Sequence, residues 1–188
     1  MRGLGTAVVA ALLVAGVTAG TANATTLVKT GSLTYTCPFP GITPQPTTVA
    51  AELSVTDPHP GLPFTVSPSL QQTFPASVRT LLNAIGYDAV RGSLSAAFSV
   101  TNATPAAGVI AGGFPAQPFT TVTVTGAPQT FTAGTAGAVG FSLGASVSGI
   151  LEFHKASTGA WTPWTSNCTL KVTSPAQNTA FTPSVPIT

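Results

Sequence analysis

The stretch with the most conspicuous chemistry is Gly140-Phe141-Ser142-Leu143-Gly144, followed by Glu152 and His154. The first five residues match G-x-S-x-G, the strand–turn–helix corner that exposes a nucleophilic serine in α/β-hydrolases. A serine nucleophile needs a histidine and an acid within hydrogen-bond reach. Here alternation of apolar and polar residues runs straight through the motif, and an extended strand rises ~3.3 Å per residue, which puts Glu152 and His154 roughly 30 Å or more from Ser142. The motif is therefore expected to be a coincidence of a Gly- and Ser-rich strand, and the chain is expected to be non-catalytic. Glu152 and His154 are neighbours on one strand face and can interact, but the alternation turns that face to solvent.

The remaining candidates are few. His59 lies between two prolines and reads as a turn residue. Two distant histidines with no accompanying Cys or acid cluster do not give recognisable metal-ligand spacing, so no metal and no cofactor is expected. A glycosidase-like pair would have to come from the four acids Glu52, Asp57, Asp88 and Glu152, which sequence alone does not bring together. No Gly-rich phosphate loop follows a strand and opens a helix. Trp161-Thr162-Pro163-Trp164 is the one aromatic cluster. Trp161 and Trp164 read either as a stacking platform for a sugar or partner side chain, or as core residues packed beside a disulfide. Asn102-Ala103-Thr104 and Asn167-Cys168-Thr169 fit the N-glycosylation pattern, which carries meaning only in a eukaryotic secretory route.

The elements that must position these residues are legible from period-2 patterning. Leu33, Tyr35 and Cys37 share one face, as do Cys168, Leu170 and Val172, so both cysteines point inward. They are the only two in the chain. A single pair in a secreted chain predicts one Cys37–Cys168 disulfide, since a catalytic or metal-binding cysteine would need partners that are missing. Val49, Ala51, Leu53 and Val55 form another strand face. Leu62 to Val66 reads as a short edge strand after the Pro-rich turn Asp57–Gly61. Val78, Leu81, Leu82 and Ile85 break the alternation with helical spacing, which predicts one short helix with Ser77 as N-cap and Gly86 just past its end. Leu94, Ala96, Phe98 and Val100 return to strand periodicity, and Thr120 to Thr125 alternates Thr and Val. Phe141, Leu143, Ala145, Val147, Leu151 and Phe153 then run on one parity through a long strand with a bend at Gly144 or Gly149. Alternating strands, Pro/Gly turns and one disulfide predict an all-β, antiparallel Ig-like β-sandwich. It should span residues 25–173. Residues 174–188, rich in Pro, Ser and Thr, read as a flexible tail, or alternatively as an extended segment that pairs with a sheet edge in this or another molecule.

Tyr35-Thr36-Cys37-Pro38-Phe39-Pro40-Gly41-Ile42 resembles the opening of a family of small secreted actinobacterial domains of unknown function. The Thr/Val strand Val49 to Val55, the segment Leu81 to Gly92 and the closing Asn167-Cys168-Thr169-Leu170 resemble later parts of those domains. The chain departs from the pattern in having Pro-Gly-Ile-Thr where Pro-Leu-Ile-Gly is expected. The resemblance implies a secreted, disulfide-closed, Ig-like β domain and carries no catalytic residues over.

Residues 1–24 read as a secretory signal peptide: Arg2, the small-residue apolar run Leu4 to Val17, and an Ala22-Asn23-Ala24 cleavage site. The apolar run is shorter than the ~20 residues that span a bilayer, and no later segment reaches that length. Charged residues are 5% of the chain, with six Lys and Arg against four Asp and Glu. That balance gives no footprint for nucleic acid or an anionic membrane, and little repulsion against self-association. The expectation is a secreted or cell-envelope protein that works by extracellular binding or assembly, with a protein or a cell-wall glycan as partner. Carbohydrate binding through Trp161 and Trp164 is the alternative, and a secreted hydrolase the remote one.

Overall fold

The computed structural model describes residues 24–188, so the expected signal peptide lies outside the described residues except for Ala24. The elements, in chain order, are β1 (Thr25–Lys29), β2 (Leu33–Phe39), β3 (Ile42–Thr56), β4 (Pro63–Thr73), α1 (Ala76–Ala84), β5 (Tyr87–Thr101), β6 (Ala103–Thr104), β7 (Ala107–Gln117), β8 (Thr121–Thr125), β9 (Gln129–Ala133), β10 (Ala138–Lys155), β11 (Ala160–Leu170) and β12 (Val185–Pro186). The strands form one antiparallel sheet in the order β6-β9-β4-β3-β2-β11-β10-β5-β7, with β1 also on β3, β8 on β4 and β12 on β10. The sheet curls until its ends approach. Gln129 clips the free edge of β7, accepting from Val109 N at 2.9 Å and donating to Val109 O at 2.6 Å. The result is the expected all-β antiparallel sandwich with one short helix and one disulfide.

Alternation builds the interior. Leu33, Tyr35, Cys37 and Phe39 of β2 are buried, as are Val49, Ala51, Leu53 and Val55 of β3 and Leu94, Ala96, Phe98 and Val100 of β5. All ten phenylalanines of the chain are buried in the same core. Phe39, Phe74, Phe119 and Phe153 form a ring of aromatic contacts with centroids 5.8–6.4 Å apart, the range in which such pairs add to area burial. This ring anchors the far end of β10, and Tyr87 packs on Phe153 at 5.8 Å.

Several local expectations are corrected. The predicted edge strand at Leu62 to Val66 is the start of the longer, interior β4. Pro68 is tolerated inside it because its carbonyl accepts from Gly126 N at 2.8 Å. The missing N–H of Pro68 therefore falls on that side of the strand, where β9 gives way to β8 as β4's neighbour and no ladder bond is lost. Ser77 is not the N-cap. The helix starts at Ala76 with Pro75 at the cap position and no side-chain cap bond. Pro75 already supplies the extended φ/ψ that a cap residue needs, and Val78 and Leu82 are the helix residues buried. Gly86 does terminate it, at φ +88°. The bend in β10 falls at Gly144, where pairing with β5 shifts between Leu143 and Val147. Ala145, expected inward, is exposed because it sits in that bulge.

The tail is not free. Segment 179–187 lies along the first half of β10 and touches the end of β1. Ala180 bridges Ser142, Thr182 bridges Lys29, and Val185 and Pro186 pair with Val139 and Ala138. Phe181 and Val185 are buried. Beyond the bulge β11 serves as the partner of β10, and before it the tail does, so pairing with β10 runs on past residue 173 to Pro186.

The disulfide joins Cys37 and Cys168, whose Cα atoms are 4.1 Å apart. Thr36 pairs with Thr169 and Tyr35 with Leu170, so the cysteines are opposite one another on hydrogen-bonded neighbours, not on facing layers.

Candidate functional site

Charge is scarce on this molecule, and much of it is gathered at one place. Tyr87, Asp88 and Arg91 on the first part of β5, Glu152, His154 and Lys155 at the end of β10, and Trp161 at the start of β11 lie together next to α1. They hold four of the chain's ten charged residues and one of its two histidines. Register explains the meeting. Glu152 is opposite Arg91 on β5, and His154 is opposite Trp161 on β11, so these side chains share the outer face.

Each polar group there is engaged. Arg91 Nε donates to Glu152 Oε2 at 2.7 Å. That hydrogen bond holds the Glu152 carboxyl below its ordinary pKa and raises that of the guanidinium. The pair is intact at neutral pH and is lost as pH falls through the depressed Glu152 value. His154 Nδ1 donates to Asp88 Oδ1 at 2.6 Å. An ionised carboxylate only accepts, so the facing nitrogen carries the proton and Nε2 is left as an acceptor while the ring is neutral. The Trp161 ring covers both motifs: Arg91 Cζ is 4.2 Å from its centroid and the His154 ring 5.0 Å. At the rim, Lys155 Nζ lies 4.7 Å from the Tyr87 ring and donates to the Ile85 carbonyl, fixing the C-terminal end of α1.

Asp88 also lines a shallow open cleft of about 320 Å³ between α1 and the Pro118–Thr120 connection, with Arg79, Asn83 and Thr120 on its walls and Phe119 at its base. The patch and the cleft are thus continuous through one carboxylate.

The two tryptophans do not act as one cluster. A spacing of three along a strand sends side chains to opposite faces. Trp161 is outward. Trp164 pairs with Leu151, packs against the core and donates its indole N–H to Pro38 O at 3.1 Å, beside the disulfide. Ser142 stays within the regular β5–β10 ladder opposite Ser99, while Glu152 and His154 bond to Arg91 and Asp88 instead. His59 sits elsewhere, its Nδ1 donating to Thr188 O at 2.6 Å. Asn102 turns its amide into the 134–138 loop, donating to Ala136 O at 2.7 Å, and Asn167 is exposed on β11. Among the described residues no group of three or more His, Cys, Asp or Glu is placed to hold a metal ion. No helix among them is long and apolar enough to cross a membrane.

Sequence reasoning found Glu152, His154 and Trp161, weighed Asp88 only as one of four unplaced acids, and missed Arg91. Their rarity was a usable signal, since a charge on a charge-poor strand stands out. No family model, curated protein or solved structure matches the chain.

Proposed function

We propose that this is a secreted, non-catalytic binding module whose ligand surface is the outer face around Trp161, and whose ligand is a cell-envelope glycan. The observation that carries the reading is the gathering of an aromatic plane, an Arg–Glu ion pair, a His–Asp hydrogen bond and a polar cleft on a surface poor in charge. Sugars are bound by such a combination: an aromatic face for the C–H side of the ring, and fixed donors and acceptors for its hydroxyls. The bonds to Glu152 and Asp88 lock Arg91 and His154 before a ligand arrives, which lowers the ordering cost of binding. Asp88 and His154 form a dyad, but among the described residues no hydroxyl or thiol is hydrogen-bonded to it as a nucleophile, which favours recognition over covalent chemistry. A buried disulfide supports an oxidising, extracellular setting, and the Tyr-x-Cys-x-Phe-Pro opening supports it through its resemblance to secreted domains.

Co-sedimentation with insoluble peptidoglycan and a soluble glycan array test the reading. Trp161→Ala should weaken binding by about tenfold or more, equivalent to ~1.4 kcal/mol. Trp164→Phe, altered on the inward face, should bind like the parent. Absence of any glycan binding, or equal loss from both variants, would sink the assignment.

A further inference from the structure

Segment 179–187 fills a slot between the end of β1 and the first half of β10, and it does so through backbone bonds to both edges. Lys29 N donates to Thr182 O at 2.9 Å and Thr182 N to Lys29 O at 2.8 Å. On the other side Leu143 N donates to Thr179 O, Phe181 N to Phe141 O and Ile187 N to Gly137 O, each at 2.9 Å. Two side chains anchor it, Phe181 and Val185, which are 3% and 1% exposed, and Phe181 sets its edge against Phe141 at 6.4 Å. An extended apolar segment is the one kind of occupant that satisfies both edges and both anchor positions.

Nothing covalent keeps the segment in its own slot. The disulfide closes the chain between Cys37 and Cys168, and the segment lies beyond it. It hangs from the connection 171–178, in which Val172 is 95% exposed. Gln177 is the tether there, donating to Thr34 O at 2.9 Å and to Lys171 O at 2.7 Å. Eight residues reach at most about 27 Å when extended, enough to leave one body and enter an adjoining one. Charge does little to oppose the approach: Lys29 is paired with Glu52 at 2.7 Å, and just past the segment Asp57 accepts from Thr188 Oγ1 at 3.1 Å.

We infer that a second copy of this chain is the partner for the slot: segment 179–187 of one molecule exchanges into another. Reciprocal exchange gives a closed dimer, and one-way exchange an open chain of copies. Every contact in the exchanged state is one already made within the monomer, so its population is set by concentration and by the connection alone.

The test uses full-length mature protein. A size-tagged Lys29→Cys chain is mixed with an untagged Thr182→Cys chain at high concentration, either directly or after joint refolding, and mildly oxidised. A disulfide-linked heterodimer whose yield rises with concentration is expected. Light scattering on the parent protein should show dimer increasing over the same range. The double variant Lys29→Cys/Thr182→Cys, oxidised at high dilution, should close within one chain and then remain monomeric when concentrated. The inference is overturned if the mixed chains cross-link no more than a Lys29→Cys chain mixed with Thr123→Cys, which lies outside the slot. It is equally overturned if the pinned double variant dimerises as readily as the parent.

Discussion

Tyr35 carries a hydroxyl into the core and donates it to the Gly144 carbonyl at 2.6 Å, at the bulge where β10 changes partner. Burial pushes its pKa up to about 12 from an ordinary value of 10.0. The sign follows from linkage: the unfolded chain releases this proton near pH 10 while the folded chain holds it to about pH 12. The stabilising contribution is therefore complete below pH 10 and is lost as pH rises through that window, by about 3 kcal/mol in all. Urea unfolding at pH 8 and at pH 11.5 should show about two-thirds of this loss in the parent, because pH 11.5 stops short of the folded value. Tyr35→Phe should cost about 1 kcal/mol at pH 8, from the carbonyl left unpaired, but be flatter toward pH 11.5. A parent curve no steeper than that of the variant would refute the role given to this hydroxyl. The inward direction of Tyr35 was legible from alternation with Leu33 and Cys37. Its bond to a bulge more than a hundred residues away was not, because no local pattern specifies which carbonyl a core phenol meets.

Gly92 decides how the edge of the patch is built. It lies in β5 beside Arg91 at φ +144°, and a Cβ there would sit 2.2 Å from the Ile150 carbonyl oxygen. β10 can approach β5 closely enough to bring Glu152 opposite Arg91 only because that side chain is missing. Gly92→Ala should thus destabilise by about 2–4 kcal/mol, from strain and displaced backbone. It should also slacken the Arg91–Glu152 pair, visible as upward movement of the Glu152 pKa by NMR titration. A stable variant with an unmoved Glu152 would contradict the account. Strand identity was readable at this scale: the parity of Leu94 to Val100 and of Phe141 to Phe153 holds in the structure, apart from Ala145 in the bulge. Register was not readable. Asp88 and Arg91 join Glu152, His154 and Trp161 through cross-strand pairing, and pairing depends on which hairpins close, not on the composition of any strand. The opposite facing of Trp161 and Trp164 was implied by their spacing of three, once the stretch is taken as a strand and not as a loop.

For the molecule as a whole, the covalent staple sits at a short ladder in the middle of the strand order. β2 and β11 share only two register positions, Thr36 with Thr169 and Tyr35 with Leu170, whereas the β10–β11 and β5–β10 ladders are long. The two parts of the strand order, β6-β9-β4-β3-β2 and β11-β10-β5-β7, join at this short ladder, which Lys171 N extends by donating to Thr34 O at 2.9 Å, and without the bridge little hydrogen bonding would resist their parting there. The Cys37–Cys168 bond closes a loop of sequence separation 131, which in the chain-entropy model stabilises by about 5 kcal/mol, with native-state relaxation reducing the measured figure. Polar side chains pack around the bridge, with Gln72 Nε2 donating to Thr47 Oγ1 at 3.3 Å, so alanines at both positions would leave those groups in a looser environment. The Cys37→Ala/Cys168→Ala protein is expected to lose about 3–5 kcal/mol in denaturant unfolding. Its hydrogen exchange should rise first in β2, in β11 and in the tail tethered through Gln177 to Thr34, while β5 and the second half of β10 stay protected. Uniformly raised exchange would mean that the bridge acts only on the unfolded chain. A loss under about 1 kcal/mol would mean that the two paired positions hold the seam without it.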